Sequence, residues 1–222
     1  MNIQINQLIR SKRRTIALIV ERDGTLTVRA PMHASNADIH SFVQEQAQWI
    51  LRKQEGIKLI PEVRRKGYVD GEKFLYLGSS FDLELVPPQR PLLQFENGFR
   101  LSRTGQHRGA SLFTRWYKER AFEVISGRVA GYAARYGLTP KQVRVTSART
   151  RWGSCSPNGN LNFSWRLVMA PLEVIDYVVV HELSHLRVSN HSGRFWMVVE
   201  SMLPDYKQRR KWLREHGETL TL

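Results

Sequence analysis

The stretch 174–196, VIDYVVVHELSHLRVSNHSGRFW, carries three of the chain's seven histidines within eleven residues. His181 and His185 are four apart, and the run from Pro171 to Leu186, PLEVIDYVVVHELSHL, has the apolar content and the proline start of a helix. Four-residue spacing puts both imidazoles on one helix face, close enough to hold one ion. Glu182 sits one step around the same helix, where a carboxylate can take a proton from a metal-activated water without being a ligand itself. Imidazole nitrogens suit zinc, and a catalytic zinc keeps one coordination position open. The spacing therefore predicts one Zn2+ held partly by His181 and His185, with Glu182 as catalytic base.

The pattern His-Glu-x-x-His is the zincin signature. A third ligand is needed, and His191, ten residues after His181, matches the ligand spacing of metzincins, where a glycine lets the chain turn back after the helix. Here Val188 stands at that glycine's position. The turn must then be made differently, and Ser189-Asn190 is the expected place, because asparagine tolerates left-handed geometry. Glu200 is the alternative third ligand; His191 is favoured because Glu200 falls among apolar helix residues.

Outward from this stretch the chain reads as α+β. Toward the N-terminus, TIALIVERDGTLTVRAP (residues 15–31) alternates apolar residues on either side of Asp23-Gly24, a hairpin pattern. SNADIHSFVQEQAQWILRKQEG (35–56) reads as one helix capped by Ser35 or Asn36, with Ile39, Phe42, Val43, Ala47 and Ile50 on its apolar face. Residues 61–110 read as short strands and turns. A long helix is expected from Ala110 to Tyr136, stopping at Gly137, with Leu112, Trp116, Phe122, Ile125, Val129 and Tyr132 facing the core. QVRVTSARTRWGSC (142–155) and LNFSWRLVM (161–169) read as two strands of a hairpin, the second alternating Leu161, Phe163, Trp165 and Leu167. Two short helices close the chain, started near Ser192 and Pro204 and stopped near Gly217. The expected division is a β-rich N-terminal portion, 1–110, and a catalytic portion, 111–222, packed as one unit.

The formal charge of +14 favours anionic partners, a nucleotide or nucleic acid among them. Basic runs such as RSKRR and KQRRKWLR read most simply as solvated faces. The single cysteine, Cys155, rules out an intrachain disulfide and fits a reducing compartment. Apolar runs such as IALIV and YVVV are too short to span a bilayer, so a cytoplasmic protein without membrane insertion is expected. No Gly-x-x-x-x-Gly-Lys-Ser/Thr loop is present, which excludes a P-loop enzyme.

Three segments together, RWGSCSPNGNLNFSWRLVMAP (151–171), the opening stretch, and PDYKQRRKWL (204–213), resemble the YgjP-like metallopeptidase-domain family of predicted metal-dependent hydrolases. The N-terminal GTLTVRAP and FVQEQAQWI fit it as well. The resemblance implies a zincin-like catalytic domain, an HExxH helix beside a mixed or antiparallel sheet, with His181, His185 and His191 as ligands and Glu182 as base. The related SprT-like proteins share a similar helix and are linked to DNA-bound protein substrates, but the additional zinc-ribbon cysteines are missing here. In zincin-like folds an edge strand beside the active helix binds extended peptide, and either strand of the 151–169 hairpin could be that edge. Arg151, Trp152, Asn162 and Arg166 are the candidate substrate-binding residues. Cys155 is read as a structural thiol rather than a fourth ligand. Tyr177, Arg151 and Arg166 are alternative second donors to a developing oxyanion.

The leading expectation is a zinc-dependent peptidase acting on peptide or protein. A metal-dependent nucleotide phosphohydrolase (a pyrophosphatase) at the same zinc is the alternative, and a nucleic-acid-associated binding protein is a weaker third.

Overall fold

The computed structural model describes residues 3–21, 24–59 and 66–222. The chain divides into two compact units, Met1–Val63 and Arg64–Leu222.

The first unit holds β1 (Gln7–Ser11), β2 (Ala17–Val20), β3 (Leu26–Pro31), α1 (Asn36–Glu45) and α2 (Ala47–Leu59). Its sheet has the order β1-β3-β2, with β1 parallel and β2 antiparallel to β3. The central strand β3 brings Leu26, Val28 and Ala30 into a core with Ile39, Val43 and Ile50. Ser35 caps α1 in a reciprocal capping box with Asp38. The single helix expected over 35–56 is two, divided at Gln46, whose φ and ψ of −95° and 10° leave the helical range. Asp23 of the expected hairpin turn lies outside the described residues; Gly24 has a φ of +82°.

The second unit begins with β4 (Lys73–Tyr76), β5 (Ser79–Val86), β6 (Leu93–Phe95) and β7 (Phe99–Ser102), in the order β4-β5-β7-β6. Then come α3 (Gly109–Tyr136), β8 (Gln142–Thr146), β9 (Gly153–Cys155), β10 (Asn160–Ser164), α4 (Leu172–Ser184), α5 (Gly193–Met202) and α6 (Tyr206–His216). Within the second unit the β4–β7 sheet shares its core with α3. Phe74 stacks on Phe113 with ring centroids 4.1 Å apart, and the Tyr117 hydroxyl donates to the Leu75 carbonyl at 2.6 Å. That aromatic layer joins the β4–β7 sheet and the helices α3 and α4 in one core.

Helix α3 ends as its sequence predicts, with Gly137 left-handed at φ 61° and ψ 43°. Its buried stripe is Leu112, Phe113, Tyr117, Ala121, Ile125 and Val129, and Phe122 is 53% exposed, so that residue is not core. LNFSWRLVM is a strand only as far as Ser164; Trp165–Met169 form a 3-10 turn. Trp165, Leu167, Val168 and Met169 are all buried, and burial regardless of parity ends the strand-like alternation. This 3-10 turn positions the entry to α4. The tip of the β4–β5 hairpin donates from Leu77 N to Val168 O (2.9 Å) and from Gly78 N to Met169 O (3.1 Å). Leu77 and Gly78 both have positive φ, 48° and 81°, as a two-residue type I′ turn requires. A Cβ on Gly78 would come within 2.9 Å of Pro171 Cα, so glycine is needed there twice over.

Helix α4 is buried on nearly every side, as a central helix must be when it is apolar all round. Its one buried acid in the first two turns, Asp176, accepts from Arg128 Nε at 2.5 Å and Nη2 at 2.6 Å. Arg209 of α6 lies 3.9 Å away, so this carboxylate ties α3, α4 and α6 together. The Asp176 side chain is 9% exposed and that of Arg128 38%. Arg128→Ala therefore leaves a buried charge with only the longer Arg209 contact and is expected to cost about 3 kcal/mol. Asp176→Ala lets the guanidinium turn to water and is expected to cost about 1–2 kcal/mol. Urea unfolding of both variants checks the order; a larger loss for Asp176→Ala would refute it.

No helix among the described residues is long and apolar enough to cross a membrane.

Candidate metal centre and active site

His181 lies in the last turn of α4 and His185 is its C-cap residue. After His185 the chain does not form the expected left-handed turn at Asn190. It leaves the helix through a tightening turn in which Leu186 N bonds Leu183 O, and Arg187 N and Val188 N both bond Ser184 O. No described residue between 184 and 192 has positive φ. Asn190 contributes differently, its side-chain oxygen accepting from Ser192 N at 3.3 Å just before α5 starts. A chain that turns without left-handed geometry has no need of glycine at position 188.

This turn swings His191 back over α4. His191 Nε2 and His181 Nε2 are 3.0 Å apart, and one nitrogen from each of the three histidines falls within 4.8 Å of the others. Bonds of about 2.05 Å to a tetrahedral zinc would separate its nitrogens by about 3.3 Å, so the cluster fits that ion. His185 Nδ1 lies 3.2 Å from Val188 O, a contact that makes it the donor and leaves Nε2 free to ligate. His181 Nδ1 is buried with no hydrogen-bond partner among the described residues. Glu200, the alternative ligand, is not in the cluster; it pairs with Lys207 at 3.6 Å.

Phe195 is fully buried and touches all three imidazoles, with ring centroids 4.9, 4.5 and 4.8 Å from His181, His185 and His191. It forms an apolar floor under the three rings. Sequence reasoning passed over it, although its place four residues after His191 was a usable signal. Trp196 stacks on His191 at 6.0 Å and on Tyr206 at 5.4 Å, and the Arg210 guanidinium lies 4.7 Å over its ring.

Burial, helped by the neighbouring histidines and Arg210, pushes the His181 pKa down to about 3. His185 is lowered as well, again chiefly by burial. Both rings are then neutral at physiological pH, the state in which imidazole offers a lone pair. Glu182 is 5% exposed, and burial raises its pKa to about 7, partly offset by the positive charge of Arg151.

Above Glu182 runs β9. The sheet order is β8-β10-β9, with β8 parallel and β9 antiparallel to β10. Of the two strands offered as an edge, β9 is the edge and β10 the centre. Ser164 N bonds Trp152 O and Ser156 N bonds Asn160 O, both at 2.9 Å. By antiparallel alternation the backbone groups of Gly153 and Cys155 point away from β10, toward an edge that no described strand pairs. On its α4 side, Gly153 lies so close to Glu182 that a Cβ there would meet its Oε1 at 2.5 Å and Cδ at 2.8 Å. The carboxylate is thus held beneath the open edge.

Cys155 also faces α4, but its half-buried thiol is outside the histidine cluster, donates to Ser156 O at 3.5 Å, and has a pKa raised by burial and then by Glu182. Tyr177, one turn before His181, has its ring 5.9 Å from that imidazole. Its pKa is pushed up to about 12, by burial first. Arg151, Trp152 and Asn162 line one cavity of about 200 Å³ with Ser154. Arg166 does not line it; its guanidinium lies 4.3 Å over Trp165 and donates to Ser147 O at 3.3 Å. His33, His40, His107 and His216 are exposed.

A convergent three-histidine donor set beside a buried glutamate and an open sheet edge is the layout of a metallopeptidase. The chain belongs to the YgjP-like, metallopeptidase domain family, whose model matches residues 14–216. No curated protein matches it. Among solved structures, the crystal structure of the metallopeptidase zymogen of Pyrococcus abyssi abylysin is similar at 22% identity and a TM-score of 0.38, over 42% of this chain and 93% of that one.

Proposed function

We propose that this chain is a zinc-dependent peptidase that cleaves extended peptide or unfolded protein laid along β9. The observation that carries the reading is the meeting of three ligand nitrogens within 4.8 Å, one residue from a buried carboxylate and under an unpaired strand edge. His181, His185 and His191 would hold the ion, and imidazole ligands, unlike thiolates or carboxylates, would leave its double charge uncompensated. When bound, zinc supplies a Lewis acid that acidifies water and polarises a carbonyl.

The remaining work falls to the chain's own groups. The free N–H and C=O of Gly153 and Cys155 take up a peptide backbone as an added strand, which fixes the scissile bond relative to Glu182. Glu182 Oε accepts the proton of the attacking water. A carboxyl whose pKa lies near 7 gives that proton up readily, so the same group can deliver it to the leaving amine. Phe195 and the buried face of α4 keep water from the inner side of the cluster, and His191 stays exposed on its outer side. Tyr177 stands beside both His181 and Glu182, and is better placed than Arg166 to donate to a developing oxyanion.

Purified chain is expected to contain about one zinc, to hydrolyse an unstructured protein such as casein, to lose that activity on chelation, and to regain it on zinc addition. His185→Ala is expected to lose the metal. Retention of one zinc in that variant would remove the basis of the site. Cleavage of nucleoside triphosphates and of no peptide would replace the peptidase with a phosphohydrolase.

A further inference from the structure

Residues on β9 and β10 alternate between two faces of the sheet. Leu161 and Phe163 face the core, and their partners Cys155 and Gly153 face α4 with them. Ser154 pairs with Asn162 on the opposite, outer face, and there the 200 Å³ cavity opens beside the free edge. A strand added to β9 must send every second side chain to this outer face, next to Ser154.

Several of the cavity's side-chain donors have no acceptor among the described residues. Thr146 and Ser164 already spend their hydroxyls on the carbonyls of Phe163 (3.3 Å) and Ala148 (2.8 Å). Asn162 Nδ2 donates to Ser154 Oγ at 3.3 Å, which leaves the Ser154 proton and the second Asn162 N–H without an acceptor. Arg151 is exposed and forms no hydrogen bond or ion pair with any described residue. No carboxylate lines the cavity. Donors around a guanidinium whose acidic neighbour, Glu182, lies on the α4 side of the sheet and not in the cavity complement a carboxylate.

We infer that this outer-face cavity is a substrate subsite that takes an acidic side chain, Asp or Glu, of a peptide lying along β9, with Arg151 as its specificity-determining residue. The inference rests on the peptidase reading. Alternation confines the preference to a single position whose two immediate neighbours point to the other face.

The test is a peptide mixture randomised at each position, with cleavage products read by mass spectrometry, then kinetics on matched Glu and Gln peptides. Wild type is expected to enrich acid at one position only, and to favour Glu over Gln in kcat/KM by about tenfold. Arg151→Met should bring that ratio to about one. Arg151→Glu should invert the choice toward Lys or Arg, a change that a merely structural loop residue would not produce. Peptide cleavage with no acidic preference, or with a preference unchanged in both variants, overturns the subsite and leaves the peptidase standing. If wild type cleaves no peptide beyond the Glu182→Gln level, both readings fall, and triphosphate hydrolysis in the same preparations would assign the cavity to phosphate instead.

Discussion

Glu182→Gln is expected to lower peptide turnover by about two to four orders of magnitude while zinc content stays at wild-type level. Glutamine keeps the shape of the side chain and fills the same buried space against Gly153, so the fold and the three histidines have no reason to change. It cannot accept a proton. On the proposed reading, in which the backbone of β9 holds the peptide and this carboxylate does not, the loss should fall on kcat. Metal analysis beside single-turnover kinetics separates the outcomes. A variant that loses zinc would show Glu182 to be structural, and one that keeps full activity would remove it as the base.

Gly153→Ala is expected to cost about a hundredfold in kcat, again with zinc retained. A methyl group here would stand 2.5 Å from Glu182 Oε1 and 2.6 Å from its Cγ. Glu182 is buried, so its carboxylate has little room to retreat, and displacement by about 1 Å is enough for a hundredfold loss. The strand edge itself survives, since alanine can pair and bond as glycine does, so KM should move much less than kcat. A Gly153→Ala enzyme with unchanged kcat would mean that the carboxylate's resting position is not the one used in reaction.

These two predictions differ in how far the sequence could have led to them. Glu182 is legible in the chain because its relation to His181 and His185 is local: helical periodicity alone puts the three side chains together. Gly153 is invisible in that sense. It lies 29 positions from Glu182, and only the packing of β9 on α4 makes its missing side chain matter. Phe195 and Arg210 stand between these cases, since both reach the site through helices whose existence was expected but whose direction was not.

The errors have the same origin. Trp165 and Leu167 alternate as a strand would, yet they sit in a 3-10 turn, because a wholly buried segment carries no periodic mark of its geometry. Phe122 satisfies helical spacing but points outward, because the neighbours of α3 cover a stripe one residue away. A left-handed Asn190 is the expected means of delivering His191; instead the bonds to Ser184 O turn the chain within ordinary backbone geometry.

The sequence by itself pointed to the three histidines that cluster, to the neighbouring Glu182 and to most of the elements that carry them, because helical spacing, caps such as Gly137 and turn residues act over a few positions. Tertiary structure decided which strand is the open edge, how the third histidine returns to the first two, and that Arg151, Ser154 and Asn162 share a cavity while Arg166 does not join it. The open edge and the cavity are set by which faces bury against which, and the return of His191 by the turn on Ser184 O, and no residue pattern in the sequence marks them.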